Sequence, residues 1–323
     1  MRAAVVTELG QPPEYREHRR PGTAEGQAVV RVTAAPLVPL DLLCASGTSY
    51  FGRPPVPYVP GVQGVGVVEQ SAALPAGSRV FLATRAGMAP GDGSLAERCL
   101  VRDDDLIPIE DGIPDVVAAA VGLSGVAAWM ALTWRAQLQP GERVLVLGGG
   151  GAVGQAALGA ARALGAGRLV AVCRGEQAAE RALKAGAEDV VPLTGDADEL
   201  TERLAALLGG SVDVVIDPVF GPAATAASRL LATGGRLVNI GGAMADTAQL
   251  SSAVLRSRTA AVLGYTNNVL TPEQRRTALT AVLGHAAAGR ITVAAEELPL
   301  TDVAQAWRRQ AAGSAGARIV LVP

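Results

Sequence analysis

Cationic runs are scarce in this sequence. The longest basic cluster is His18–Arg19–Arg20, and 28 Lys and Arg residues stand against 30 Asp and Glu. A nucleic-acid-binding protein needs a concentrated positive face, and none is present in the pattern. Cysteines are also few. Cys44, Cys99 and Cys173 are odd in number, widely spaced and form no C-x-x-C pair, which argues against a disulfide framework and a structural zinc. The N-terminal segment "MRAAVVTELGQPPEYRE" lacks the apolar core of a secretory signal and soon reaches acidic residues. The expectation is a reducing, cytoplasmic setting. Charged residues make up only 18% against 49% hydrophobic, a balance that suits a packed core and excludes disorder. At 323 residues the chain is long enough for two domains.

One stretch, Val116 to Trp134, carries no charge over a length that could span a bilayer. It is dominated by Ala and Gly, which are weakly apolar, and it stands alone. The reading is a buried helix in a large core, with no membrane partner.

The chain changes style along its length. Up to about Asp115, short β-branched runs (Ala3–Thr7, Gln27–Thr33, Val65–Glu69, Arg79–Leu82, Arg98–Val101) are separated by Pro and Gly clusters, as in a small rolled or barrel-like sheet. Within this part, "YVPGVQGVGVVE" (Tyr58–Glu69) places Gly61, Gly64 and Gly66 in a strand. Glycine in a strand marks a bulge or a close backbone approach, and the expectation is an approach to the cofactor domain. From "RVLVLG" onward, strand alternates with helix, and the strands are nearly continuous in Val, Ile and Leu. That is the pattern of an α/β doubly wound parallel sheet covered on both faces. Near the end, Thr271-Pro272-Glu273-Gln274 is a helix start with Thr as N-cap, Pro first and Gln three after the cap. A second helix follows Thr301, and "ARIVLVP" closes the chain as a strand; these terminal elements are expected to pack on the N-terminal domain.

"VLVLGGGGAVGQAA" holds Gly149-x-Gly151-x-x-Gly154 directly after a strand and at the start of a helix. The motif alone is weak, but in this context it reads as a dinucleotide site. Its glycines permit a tight turn, a close approach to the pyrophosphate, and helix–strand packing. The N-terminus of the helix, including Ala152 and Val153, offers N–H groups to the anion. At the end of the next strand an NAD site carries Asp or Glu; here Cys173 and Arg174 stand there. An arginine can meet a 2′-phosphate, so NADPH is favoured, the other reading being a solvated loop arginine.

These motifs together resemble the medium-chain dehydrogenase/reductase superfamily, in particular its zinc-free quinone oxidoreductase branch, the group that includes zeta-crystallin. The similar segments, among them "PYVPGVQGVGVVE", "GDGSLAERCLV", "VGLSGVAAWMAL", "ALKAGAEDVV" and "GGRLVNIGG", occur in family order over nearly the whole chain. The resemblance implies a Rossmann domain for NADP(H) over residues 118–266, and a GroES-like β-rich catalytic domain built from 1–117 with 267–323.

The same resemblance bears on metal. Zinc-dependent relatives carry ligands at the places held here by Val38 and Val62, and the only histidines are His18 and His285. A catalytic zinc needs about three protein ligands, and no such set is visible. The implied chemistry is hydride transfer to a quinone or another conjugated carbonyl or alkene. The alternatives are an enoyl, 2-alkenal or ketone reductase of a biosynthetic pathway, or an NADPH-binding protein of low turnover. By resemblance, Ser124 contacts the nicotinamide, Asp41 is a catalytic or helix-capping acid, and Tyr50 is a proton donor or a wall of the cleft. Gly241, Gly242 and Asn268 fall on loops near the nicotinamide. The family's usual asparagine is replaced by Val38, and the usual phosphate-binding lysine and tyrosine by Ala178 and Leu193. A homodimer joined along Arg258–Thr266 is also implied.

Overall fold

Val-rich segments form strands wherever turn residues bound them, and the computed structural model describes residues 1–110 and 112–323. The first half supplies β1 (Arg2–Val5), β2 (Glu14–Glu17), β3 (Gln27–Pro36), α1 (Pro39–Ser46), β4 (Gln63–Gln70), β5 (Arg79–Ala83), β6 (Arg98–Arg102) and β7 (Leu106–Pro108). After α2 (Asp115–Met130), strands and helices alternate. They are β8 (Arg143–Leu147), α3 (Ala152–Ala163), β9 (Arg168–Cys173), α4 (Glu176–Lys184), β10 (Asp189–Pro192), α5 (Ala197–Leu208), β11 (Val212–Asp217), α6 (Pro222–Ser228), β12 (Leu231–Asn239), α7 (Ser252–Ser257) and β13 (Ala261–Gly264). The chain closes through α8 (Pro272–Ala287), β14 (Ala295–Pro299), α9 (Val303–Ala311) and β15 (Arg318–Val322).

Two compact units result: Met1–Gly122 with Ala294–Pro323, and Leu123–Val293. In the first, seven strands run β14-β15-β3-β4-β5-β7, with β6 also paired to β3. All these pairs are antiparallel except β14 with β15. This is the GroES-like domain. Its core gathers the inward faces of β1, β3 and β5 with Leu95, Trp307 and Ile319.

The glycines of β4 make room for this unit's own backbone. A Cβ at Gly66 would lie 2.3 Å from the Arg31 carbonyl oxygen, and one at Gly61, just before β4, would lie 2.7 Å from the backbone nitrogen of Ser94. The expected approach to the cofactor domain is thus replaced by strand-to-strand and strand-to-loop packing within the sheet.

In the second unit a wholly parallel six-stranded sheet has the order β10-β9-β8-β11-β12-β13. This is a Rossmann-type sheet, with its change of direction between β8 and β11. Its strands bury Leu145, Val170, Val215 and Leu237 completely, because helices cover both faces.

The helix start at Thr271 forms as read: Thr271 Oγ1 accepts from the Gln274 N–H at 3.1 Å, and the Gln274 side chain accepts in return from the Thr271 N–H at 3.0 Å. Helix α8 nevertheless lies in the Rossmann unit, so the later boundary falls at Ala294 rather than 267, and the earlier one at Gly122 rather than 117. The reason is close packing: Gly159 of α3 lies against the chain just after α8, where an added Cβ would sit 2.5 Å from the Arg290 carbonyl oxygen. On α8 itself, His285 stacks near Trp129, with ring centroids 5.2 Å apart. β15 does return to the N-terminal sheet, beside β3.

The uncharged stretch lies in the helical segment Asp115–Arg135, the most apolar window of which is 72% buried inside the protein. It breaks at Gly122, whose φ of 15° and ψ of −126° are not helical. The first turn of α2 is fastened to its sheet by Asp115, which accepts from Thr33 Oγ1 at 2.5 Å and from Arg79 Nε at 2.6 Å.

Candidate functional site

In the Rossmann unit the chain leaves β8 through Gly148–Gly151 and enters α3. Gly148 has a φ of 68°, which glycine adopts freely. Added Cβ atoms would lie 2.6 Å from Ala171 Cβ at Gly149, 2.4 Å from the Ala178 carbonyl oxygen at Gly150, and 2.2 Å from the Gly148 carbonyl oxygen at Gly154. At Gly151 the nearest atom would be 3.4 Å away. Three glycines are therefore demanded by the packing of helix and strand, while Gly151 leaves one side open to a ligand backbone. The N–H groups of Ala152, Val153 and Gly154 have no carbonyl four residues earlier within α3. The cradle fits a dinucleotide pyrophosphate.

At the neighbouring strand ends, Asp217 closes β11. Its Oδ1 accepts from the N–H groups of Val219 at 2.9 Å and Phe220 at 2.7 Å. Asn239, at the end of β12, donates to the Asp217 carbonyl at 3.3 Å and to the Gly241 carbonyl at 2.9 Å. Burial raises the Asp217 carboxyl above its usual range despite these donors. The loop carrying Gly241 and Gly242 is thereby tied to the end of β11. A Cβ at Gly148 would lie 2.8 Å from Val219 Cγ2, so the glycine turn and the Asp217 loop meet at the point where the strand order reverses.

Ser124 is almost buried, two residues after the break at Gly122. The Leu123 carbonyl, next to the break, accepts from Asn267 Nδ2 at 3.0 Å; Asn267 Oδ1 in turn accepts from Tyr265 Oη at 2.6 Å. The expected residue, Asn268, is exposed and only bonds its own N–H to Thr266 Oγ1 at 3.3 Å. Arg174 is exposed at the end of β9, without a protein partner among the described residues.

In the GroES-like unit, Asp41 is in the first turn of α1 and is 1% exposed. Its Oδ2 accepts from the Val38 N–H at 2.9 Å, and its Oδ1 from the N–H groups of Gly61 at 3.1 Å and Val62 at 3.0 Å. Burial pushes its carboxyl up to about 6, against the pull of these donors and of the buried Arg318. Arg318 itself donates to the Leu37 carbonyl at 2.9 Å, and burial brings it down to about 10. Asp41 thus fastens the two positions, Val38 and Val62, where zinc relatives carry ligands, and both valines are buried. Cys44 lies close by, pushed up to about 11 by burial and by Asp41.

No group of three His, Cys, Asp or Glu side chains is placed to hold a metal ion among the described residues. The donor set does not fit a catalytic zinc. Tyr50 is 77% exposed and stacks on Phe51, with ring centroids 4.2 Å apart; it is not gathered with buried Asp41.

Several residues escaped the reading of the sequence. Asp217 lies in the segment "DVVIDPVFG", and an acid closing a Rossmann strand was a usable signal. Asn239, Asn267, Gln155 and Arg181 gave none, because their partners are set by loop closure and helix packing.

Two family models match the chain: an alcohol dehydrogenase GroES-like domain over residues 24–111 and a zinc-binding dehydrogenase domain over 152–283. The chain is 32% identical over 340 aligned residues to a phenolphthiocerol/phthiocerol polyketide synthase component of Mycobacterium tuberculosis, covering 99% of itself but 15% of that much longer protein. It is 30% identical to quinone oxidoreductase-like protein 2 of Rattus norvegicus, over 81% of this chain and 74% of that one. A solved mycobacterial quinone oxidoreductase superposes over the full length of both chains with a TM-score of 0.88 at 25% identity.

Proposed function

The chain belongs to the quinone oxidoreductase branch of the medium-chain dehydrogenase/reductase superfamily, and we propose that it is an NADPH-dependent, metal-independent reductase of quinones or other conjugated carbonyl or alkene acceptors. Gly149, Gly151, Ala152, Val153 and Gly154 would hold the pyrophosphate and Arg174 the 2′-phosphate, with Ser124 and the Gly241–Gly242 loop at the nicotinamide. The bound cofactor supplies a hydride. The acceptor then gathers negative charge on an oxygen, which hydrogen-bond donors must stabilise and protonate. We assign that task to the hydroxyl group of Tyr50.

Asp41 is given a positioning role. Its two carboxylate oxygens accept three backbone N–H groups, so it holds the Val38 and Val62 backbone in place. The observation that carries the metal-free reading is this pair of buried valines at the ligand positions of zinc relatives. Without a Lewis acid, acceptors that delocalise charge through conjugation are favoured over simple aldehydes and ketones.

A second reading, reduction of an enoyl thioester, is favoured by the similarity to a polyketide synthase component over 99% of this chain. Steady-state oxidation of NADPH with a panel of quinones, 2-alkenals and enoyl thioesters, with and without a chelator, tests both. Turnover with quinones that survives chelation is expected. Turnover confined to enoyl thioesters would establish the second reading, and NADPH binding without turnover would reduce the protein to a cofactor-binding module.

A further inference from the structure

We propose that Arg181 is a second cation for the cofactor's 2′-phosphate, acting beside Arg174; the assignment rests on the NADPH reading above. Helix α4 lies directly over the glycine turn. A Cβ at Gly150 would lie 2.6 Å from Ala178 Cβ, and Ala178 stands where the family resemblance expects a phosphate-binding lysine. Arg181 is three residues further, on the same helix face. Its Nε donates to the Gly150 carbonyl at 3.0 Å, and Gln155 Nε2 donates to the same oxygen at 2.9 Å.

Held through Nε, the half-buried guanidinium keeps both Nη groups without a protein partner among the described residues. No carboxylate among those residues neutralises it. Burial pushes the Cys173 thiol up and the positive charge of Arg181 pulls against it, which places that charge near the end of β9. The ribose of a dinucleotide is read at this strand end. Cys173 occupies the place of the acid that an NAD site would carry, so the strand itself ends without a carboxylate, and the first acid, Glu176, lies beyond the turn in α4. One guanidinium therefore links the glycine turn to the strand end, fixed in advance and with its bidentate edge free. That is the arrangement in which arginine binds a phosphate dianion best. The missing lysine at 178 is replaced by a cation one turn later.

The test compares two probes that differ only in the 2′-phosphate, adenosine 2′,5′-bisphosphate and adenosine 5′-monophosphate, titrated calorimetrically into the full chain. Arg181→Met is expected to weaken the bisphosphate by ~10- to 100-fold, the loss of a charge-assisted hydrogen-bonded pair, and to leave the monophosphate nearly unchanged. Arg181→Lys should retain part of the affinity. Gln155→Leu removes a donor to the same carbonyl without touching the charge, and should weaken both probes alike. If Arg181→Met also weakens both alike, or neither, Arg181 only clamps the turn and the proposal falls. A wild-type chain that does not distinguish the probes would instead overturn the NADPH reading. Thermal melting of each variant, without ligand, separates loss of binding from loss of fold.

Discussion

A methyl group on Gly122 would lie 2.3 Å from Oε1 of Gln63. Gln63 is completely buried at the start of β4, and its side chain reaches the break in α2. The amide that stands among the β4 glycines is thus a packing partner of the broken helix. Gly122→Ala should destabilise the fold by about 1–3 kcal/mol, as overpacking does. Gln63→Ala should partly relieve it, and urea unfolding of the four members of a double-mutant cycle measures the coupling. Strict additivity would show that Phe81, whose Cε2 would lie 2.9 Å from the same methyl group, takes the strain instead.

Asp41 makes stability pH-dependent. Its folded-state carboxyl is raised from 3.8 to about 6, by burial above all. A raised folded value means that the protonated form is favoured by folding. The contribution is fully present below the unfolded value of 3.8 and is lost as pH rises through about 6. Urea unfolding of the wild type and Asp41→Asn from pH 4 to 7 should show the wild type losing about 2–3 kcal/mol relative to the non-titrating variant. A constant difference across that range would refute the assignment.

The cofactor cradle predicts two distinguishable failures. At Gly154 a Cβ would lie 2.2 Å from a backbone oxygen, which cannot yield, so Gly154→Ala should distort the turn and weaken NADPH and NADH alike. Arg174 is exposed and has no hydrogen-bond or ion-pair partner among the described residues, so Arg174→Ala should leave NADH binding nearly intact and weaken NADPH by roughly tenfold or more. Equal effects of Arg174→Ala on both cofactors would sink the phosphate assignment.

The dimer expected from the family is also open to test. β13 is the edge of the parallel sheet, paired only with β12 among the described residues, and its residues are half-buried or exposed. An apolar edge of this kind is a template for pairing with a second copy. Sedimentation equilibrium should return the mass of two chains, and a monomer at micromolar concentration would refute the pairing.

Much of the architecture was legible because it is written locally. A strand, a glycine turn and a helix are adjacent in sequence at Gly149–Gly154, so their spacing carries the turn. The N-cap at Thr271 needs only Pro272 and Gln274 beside it, and it formed as read. Val38 and Val62 are legible in the same way, since a valine has no ligating side-chain atom in any fold.

Contacts between distant residues were not legible in this way. Burial gave Asp41 three backbone donors from two separate segments. Loop closure chose Asn267, not Asn268, for the Leu123 carbonyl, and packing against α3 and Trp129 drew α8 into the Rossmann unit. Helix packing brought Arg181 to Gly150. The sequence by itself determined the class of fold and the glycine-rich strand–turn–helix, because side-chain chemistry and short-range spacing suffice for these. Only the tertiary structure decided which side chains meet the turn, the helix break and the buried acid, because those partners are chosen by packing across the chain.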